Sequence, residues 1–88
     1  RLGENPQSNT EKSARYNFGE ITYMLDVKAC RIKQARVYSD ALNSDFIEAL
    51  RGALQGVRYD KKSVSEAIAP LGFEEKEEIL SRIDILFD

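Results

Sequence analysis

The sequence predicts an α+β domain: a small antiparallel sheet of two to three strands with about three helices packed on one side. Three observations carry that expectation. Phe18 to Lys28 alternates apolar and polar residues at the period of a half-buried strand. Ile32 to Tyr38 resumes the pattern after a short break. From Ser44 onward, apolar residues recur at helical spacing instead.

Each element has its own justification. Arg1 to Ser13 is polar and punctuated by Gly3, Asn5 and Pro6, which reads as an exposed linker arm from an upstream domain. The folded domain is expected over residues 14–88, with Ala14 to Phe18 as a short edge strand. In the first full strand Ile21, Tyr23, Leu25 and Val27 point one way, and Glu20, Thr22, Met24, Asp26 and Lys28 the other. Lys28 to Arg31 makes a hairpin turn without the Asn-Gly or Asp-Gly that would fix its type. Ile32 is out of phase with Ala35 and Val37, which places a bulge near Lys33 and Gln34. Ser44 suits an N-cap, and Asp45 and Glu48 suit the first turns of the helix it opens. Phe46, Ile47, Leu50 and Leu54 form that helix's apolar stripe, and Gly56 closes it. Gly52 inside the helix costs about 1 kcal/mol relative to Ala and is read as a point of close packing on the sheet. Asp60 or Ser63 opens a shorter helix that Pro70 and Gly72 stop, with Ser63 and Glu66 spaced as a capping box. Phe73 to Phe87 is read as one final helix with Ile79, Leu80, Ile83, Leu86 and Phe87 inside.

Bulk properties narrow the function. Apolar content of 42% against 32% charged residues places the chain among globular rather than disordered sequences. Eighty-eight residues bury one modest core. A net charge of −2 argues against nucleic acid or anionic membrane as a partner. No apolar run is long enough to span a bilayer. A single cysteine, Cys30, permits no internal disulfide and fits a cytoplasmic setting. Histidine, the commonest general base and metal ligand, does not occur.

Cys30 is the candidate nucleophile. Lys28 and Arg31 flank it, and neighbouring cations favour the thiolate. No base, second cysteine or metal ligand accompanies it, so the plainer reading is a turn residue. Glu74, Glu75, Glu77 and Glu78 suggest a cation or partner site, or simply a solvated helix start. Asp26 and Asp40 are candidates for a catalytic pair, although Asp40 also suits ordering of the strand-to-helix turn. Arg31, Lys33 and Arg36 make the return strand basic, either to dock an acidic surface or as the wet face of a sheet.

Taken in order, these residues resemble the C-terminal accessory domain of bacterial lipoate–protein ligases, and the resemblance covers most of the chain. Gly3-Glu4-Asn5-Pro6 matches the family's Gly-x-Asn-Pro, and Phe18-Gly19 its aromatic and Gly at the first strand. Val27-Lys28 precedes the turn, and Tyr38-Ser39-Asp40 ends the second strand near an Asp, followed by the Ala41-Leu42 seen in one branch. Leu54 to Tyr59 matches Leu-x-Gly-x-x-Tyr through Leu54, Gly56 and Tyr59. The chain departs from the family at Ala29-Cys30, where the hairpin usually holds Gly, and lacks the Trp residues expected before Gly3.

The resemblance implies a part in a ligase that activates lipoate with ATP and transfers the lipoyl group to a lysine of acceptor proteins. The catalytic lysine and the sites for ATP, Mg and lipoate are those of the family's larger N-terminal domain. No catalytic residue is therefore carried over to this chain, and no cofactor is expected on it. Its expected partner is that large domain, in cis or in trans, with lipoyl-acceptor domains engaged indirectly. Gly3, Asn5, Pro6, Gly19, Asp40, Gly56 and Tyr59 are carried over as structural positions only. The fold also resembles sulfur-acceptor and iron–sulfur scaffold proteins, which makes Cys30 as a persulfide carrier the alternative.

Overall fold

The computed structural model describes residues 9–41 and 43–88; Gly3, Asn5, Pro6 and Leu42 lie outside them. Three antiparallel strands, β1 (Thr10–Tyr16), β2 (Gly19–Lys28) and β3 (Arg31–Ser39), pair in the order β1-β2-β3. They are followed by α1 (Ser44–Leu54), α2 (Lys61–Ile68), α3 (Lys76–Ser81) and a 3-10 helix over Ile83–Phe87. The α+β class and the layering expected from the sequence are those of the structure.

Alternation decides which sheet face is inside. Ile21, Tyr23 and Leu25 are fully buried, as are Phe46, Leu50 and Leu54 of α1, and Ile68 and Ile79 from the later helices join the same cluster. Asp26 pairs with Gln34 but Val27 with Ile32, so Lys33 is the extra residue of a bulge. The bulge lets Ile32 and Ala35, three positions apart, both face the core. Tyr16 and Tyr23 bring their hydroxyls to 2.9 Å within the core, so each buried phenol has a partner.

The β2–β3 turn holds Ala29 at φ +52° and Cys30 at φ +65°. Two successive positive φ values mark the type I′ geometry that matches strand twist. Neither residue is Gly or Asn, so each costs about 1–2 kcal/mol in this region. The tertiary frame supplies compensation: the Tyr59 amide donates to the Cys30 carbonyl at 2.8 Å.

Several boundaries differ from expectation. Thr10 to Ser13, read as part of the arm, lie in β1 and pair with Leu25 to Thr22. The Asn9 side chain extends the ladder, donating to the Val27 carbonyl at 2.6 Å and accepting from its amide at 2.9 Å. This stretch is polar on both faces, which hid the strand's period. Asn43 rather than Ser44 caps α1, its side chain accepting from the Phe46 amide at 3.1 Å. Of the two residues expected to open α2, Asp60 is the cap, accepting from the Ser63 amide at 2.7 Å. The expected final helix is broken at Arg82, whose φ of −123° and ψ of 31° leave the helical region. Arg82 instead lies 5.3 Å over the Tyr16 ring and donates to the Arg15 carbonyl at 2.5 Å. Gly52 has no atom within 4 Å of where a Cβ would stand, so it serves no close packing.

Candidate functional site

Two clamps hold the sheet at its ends, and the sequence singled out residues of both. At the β1–β2 turn end, Gly19 adopts φ +139°. A Cβ there would meet Asp40 Oδ1 at 2.6 Å and the Ala41 backbone at 3.3 Å. The missing side chain lets Asp40 Oδ1 reach the Glu20 amide at 2.8 Å. Ser39 Oγ accepts from the Ala41 amide at 2.9 Å, so the exit from β3 toward α1 is tied to the start of β2. Asp40 thus orders the strand-to-helix turn. Asp26 sits six residues along β2 from Glu20, roughly 20 Å away at strand rise, so the two aspartates form no pair.

At the hairpin end, Gly56 (φ +76°) lets the chain turn out of α1 and run beside β3. Its amide donates to the Ile32 carbonyl at 2.7 Å, and the Ile32 amide returns a bond to Val57 at 2.8 Å. The Tyr59 hydroxyl donates to the Leu86 carbonyl, and its ring packs 4.8 Å from Phe87. Burial pushes the Tyr59 phenol up from its ordinary value. Gly56 and Tyr59 therefore bind three separate segments: the start of β3, the α1–α2 link and the C-terminal 3-10 helix.

Cys30 stands exposed at the hairpin tip as a free thiol. Exposed cations surround that end: Lys28, Arg31, Lys33 and Arg58. Arg31 donates to the Gly56 carbonyl at 3.3 Å and Arg58 pairs with Asp60 at 3.1 Å. The hydrogen bond from the Ser63 amide, chiefly, holds the Asp60 carboxyl below its usual range.

At the opposite end Glu74, Glu75, Glu77 and Glu78 border a hollow of about 590 Å³ with Asn17 and Phe18. Two of these carboxylates have structural duties. Glu78 accepts from the Asn17 amide at 3.0 Å, and Glu75 from the Asn43 side chain at 3.1 Å. Among the described residues no group of three or more His, Cys, Asp or Glu is placed to hold a metal ion.

The remaining surface is the face of the sheet turned away from the described helices. Ser13, Thr22 and Tyr38 form one row across the strands, and Glu11, Met24 and Arg36 the next. Tyr38 is 53% exposed, the one exposed large hydrophobic among the described residues. A shallow hollow of about 360 Å³ beside it is lined by Glu20, Thr22, Tyr38, Ser39 and Asp40. The sequence assigned Tyr38 only to the end of the second strand; the alternation that sends it outward was the available signal.

The bacterial lipoate protein ligase C-terminus family matches residues 5–86 of this chain. The chain belongs to that family. It is 38% identical to lipoate-protein ligase A of Psychrobacter cryohalolentis over 64 residues, covering 73% of this chain and 19% of that protein. To lipoate–protein ligase 1 of Staphylococcus aureus it is 28% identical over 67 residues, 76% of this chain and 20% of that protein. The chain thus spans about a fifth of the length of these curated relatives. Its fold matches the crystal structure of P. falciparum LipL1 in complex with lipoate at a TM-score of 0.77 and 24% identity, over 92% of this chain and 25% of that one. No helix among the described residues is long and apolar enough to cross a membrane.

Proposed function

We propose that this chain is the non-catalytic accessory domain of a lipoate–protein ligase. It assists ATP-dependent formation of lipoyl-adenylate and lipoyl transfer to a lysine of acceptor proteins. The observation that carries this reading is the family match over residues 5–86, in a chain that spans about a fifth of its ligase relatives. The partner is the ligase's large catalytic domain.

In this reading ATP, Mg and lipoate are held by the large domain, and the hollows of this chain are lined by carboxylates, Glu20 and Asp40 in one and four glutamates in the other. The contribution of this chain is therefore positional. A domain clamped at both ends of its sheet moves as a unit, and docking such a unit over a site excludes water and completes the geometry for reaction.

Lipoyl-adenylate formation by the intact ligase, by its large part alone, and by the large part with this chain added back tests the reading. Removal should slow the reaction and addition should restore it. Equal rates in all three overturn it. Cys30→Ala should restore the rate as well as the unmodified chain; a loss would favour the sulfur-carrier alternative.

A further inference from the structure

We infer that the face of the sheet turned away from the helices, centred on Tyr38, is the surface on which the rest of the ligase docks. This rests on the accessory-domain reading above. Thr22 pairs with Tyr38 and Met24 with Arg36 in adjacent rows of the register, so the four side chains form one contiguous patch. Tyr, Met and Arg are enriched at protein interfaces, whereas Lys and Glu are depleted. Charged residues ring the patch: Glu11, Asp26 and the Arg15–Glu20 pair at 3.3 Å. A centre of Tyr38, Met24 and Arg36 inside a charged rim matches the residue types enriched at interfaces.

The outer side of the helical layer differs. It carries Glu48 paired with Arg51 at 2.6 Å and Lys61 paired with Asp84 at 2.5 Å, together with exposed Lys62 and Glu66. That is a surface made for solvent.

Size and connection favour the same occupant. Strands of seven to ten residues, three abreast, present a face of roughly 400 Å² at standard strand spacing. Interfaces between domains of one chain bury about 300–750 Å² on each side. The relatives leave about four fifths of their length outside the match, and the family is their C-terminal piece, so that remainder precedes β1. β1 is an edge strand of the same sheet.

Cross-linking in the intact ligase tests this. A photoreactive benzoylphenylalanine replaces Tyr38 in one variant and Lys62, on α2, in another, with folding checked by circular dichroism. Position 38 should cross-link to peptides of the large part, at least fivefold over position 62. Cross-links chiefly from position 62, none from either, or chiefly between two copies from position 38 would each overturn the inference. Adenylation measured with and without the domain keeps the two readings apart. If the domain speeds adenylation but position 38 does not cross-link, only the face is wrong. If adenylation does not depend on the domain, the accessory reading fails whatever the cross-links show.

Discussion

Replacing Gly19 with Ala should destabilise the domain by about 2–4 kcal/mol, the sum of two costs that the geometry separates. Gly19 sits at φ +139°, and a side chain in such a region costs about 1–3 kcal/mol. The new Cβ would also stand 2.6 Å from Asp40 Oδ1, so the carboxylate must move away from the Glu20 amide it binds at 2.8 Å. Losing that bond leaves a turn donor without its partner, worth about 1 kcal/mol or more. At about 0.05–0.15 kcal/mol per residue, 88 residues give a total stability of roughly 4–13 kcal/mol. The substitution therefore removes a large part of it. Urea unfolding followed by far-ultraviolet circular dichroism measures the change, and the slope with denaturant should stay constant. Asp40→Ala supplies the control. With the carboxylate gone, Gly19→Ala should cost about 1 kcal/mol less than in the parent, because only the backbone cost and the 3.3 Å approach to Ala41 remain. A Gly19→Ala protein within about 0.5 kcal/mol of the parent would refute the close-approach argument, since surface changes away from special features fall in that range.

Three further outcomes are expected. Gly52→Ala should stabilise by about 1 kcal/mol, because the position is helical, exposed and open; a loss of stability in urea unfolding would show a contact at that site. Ala29→Asn with Cys30→Gly should raise the melting temperature by roughly 4–8 °C, the shift expected for about 1 kcal/mol in a domain of this size, since it relieves two left-handed residues in a type I′ turn; no rise in a thermal scan would mean the turn is not strained. Stability should also fall in alkali. Burial, the largest cause, raises the Tyr16 and Tyr23 phenols above their ordinary 10.0, while Arg82 opposes it weakly. Raised acids of this kind leave stability whole below pH 10 and erode it as pH climbs beyond. The urea midpoint should therefore be flat from about pH 8 to pH 9.5 and drop by pH 11; a flat profile to pH 11 would contradict the burial of the pair.

What the sequence determined by itself was local and periodic. Alternation in Ile21, Tyr23 and Leu25 named the buried face of β2, because side chains on a strand must alternate. The phase slip at Ile32 placed a bulge near Lys33 and Gln34, because one extra residue is needed to bring Ile32 and Ala35 to the same side, and the register of the paired strands settled it on Lys33. Gly19, Asp40, Gly56 and Tyr59 were marked as positions by their order, but their partners lie about 20 or more residues away in the chain, and no local rule names such partners. Tertiary contacts decided the rest. Thr10 to Ser13 became strand because β2 offered an unpaired edge, which outweighed a sequence without apolar alternation. The last helix broke at Arg82 because its guanidinium gains the Tyr16 ring and the Arg15 carbonyl, contacts that exist only once β1 is in place. Tyr38 acquired its meaning in the same way: all helices went to one face of the sheet, and the outward end of an ordinary alternation was left as the centre of the other.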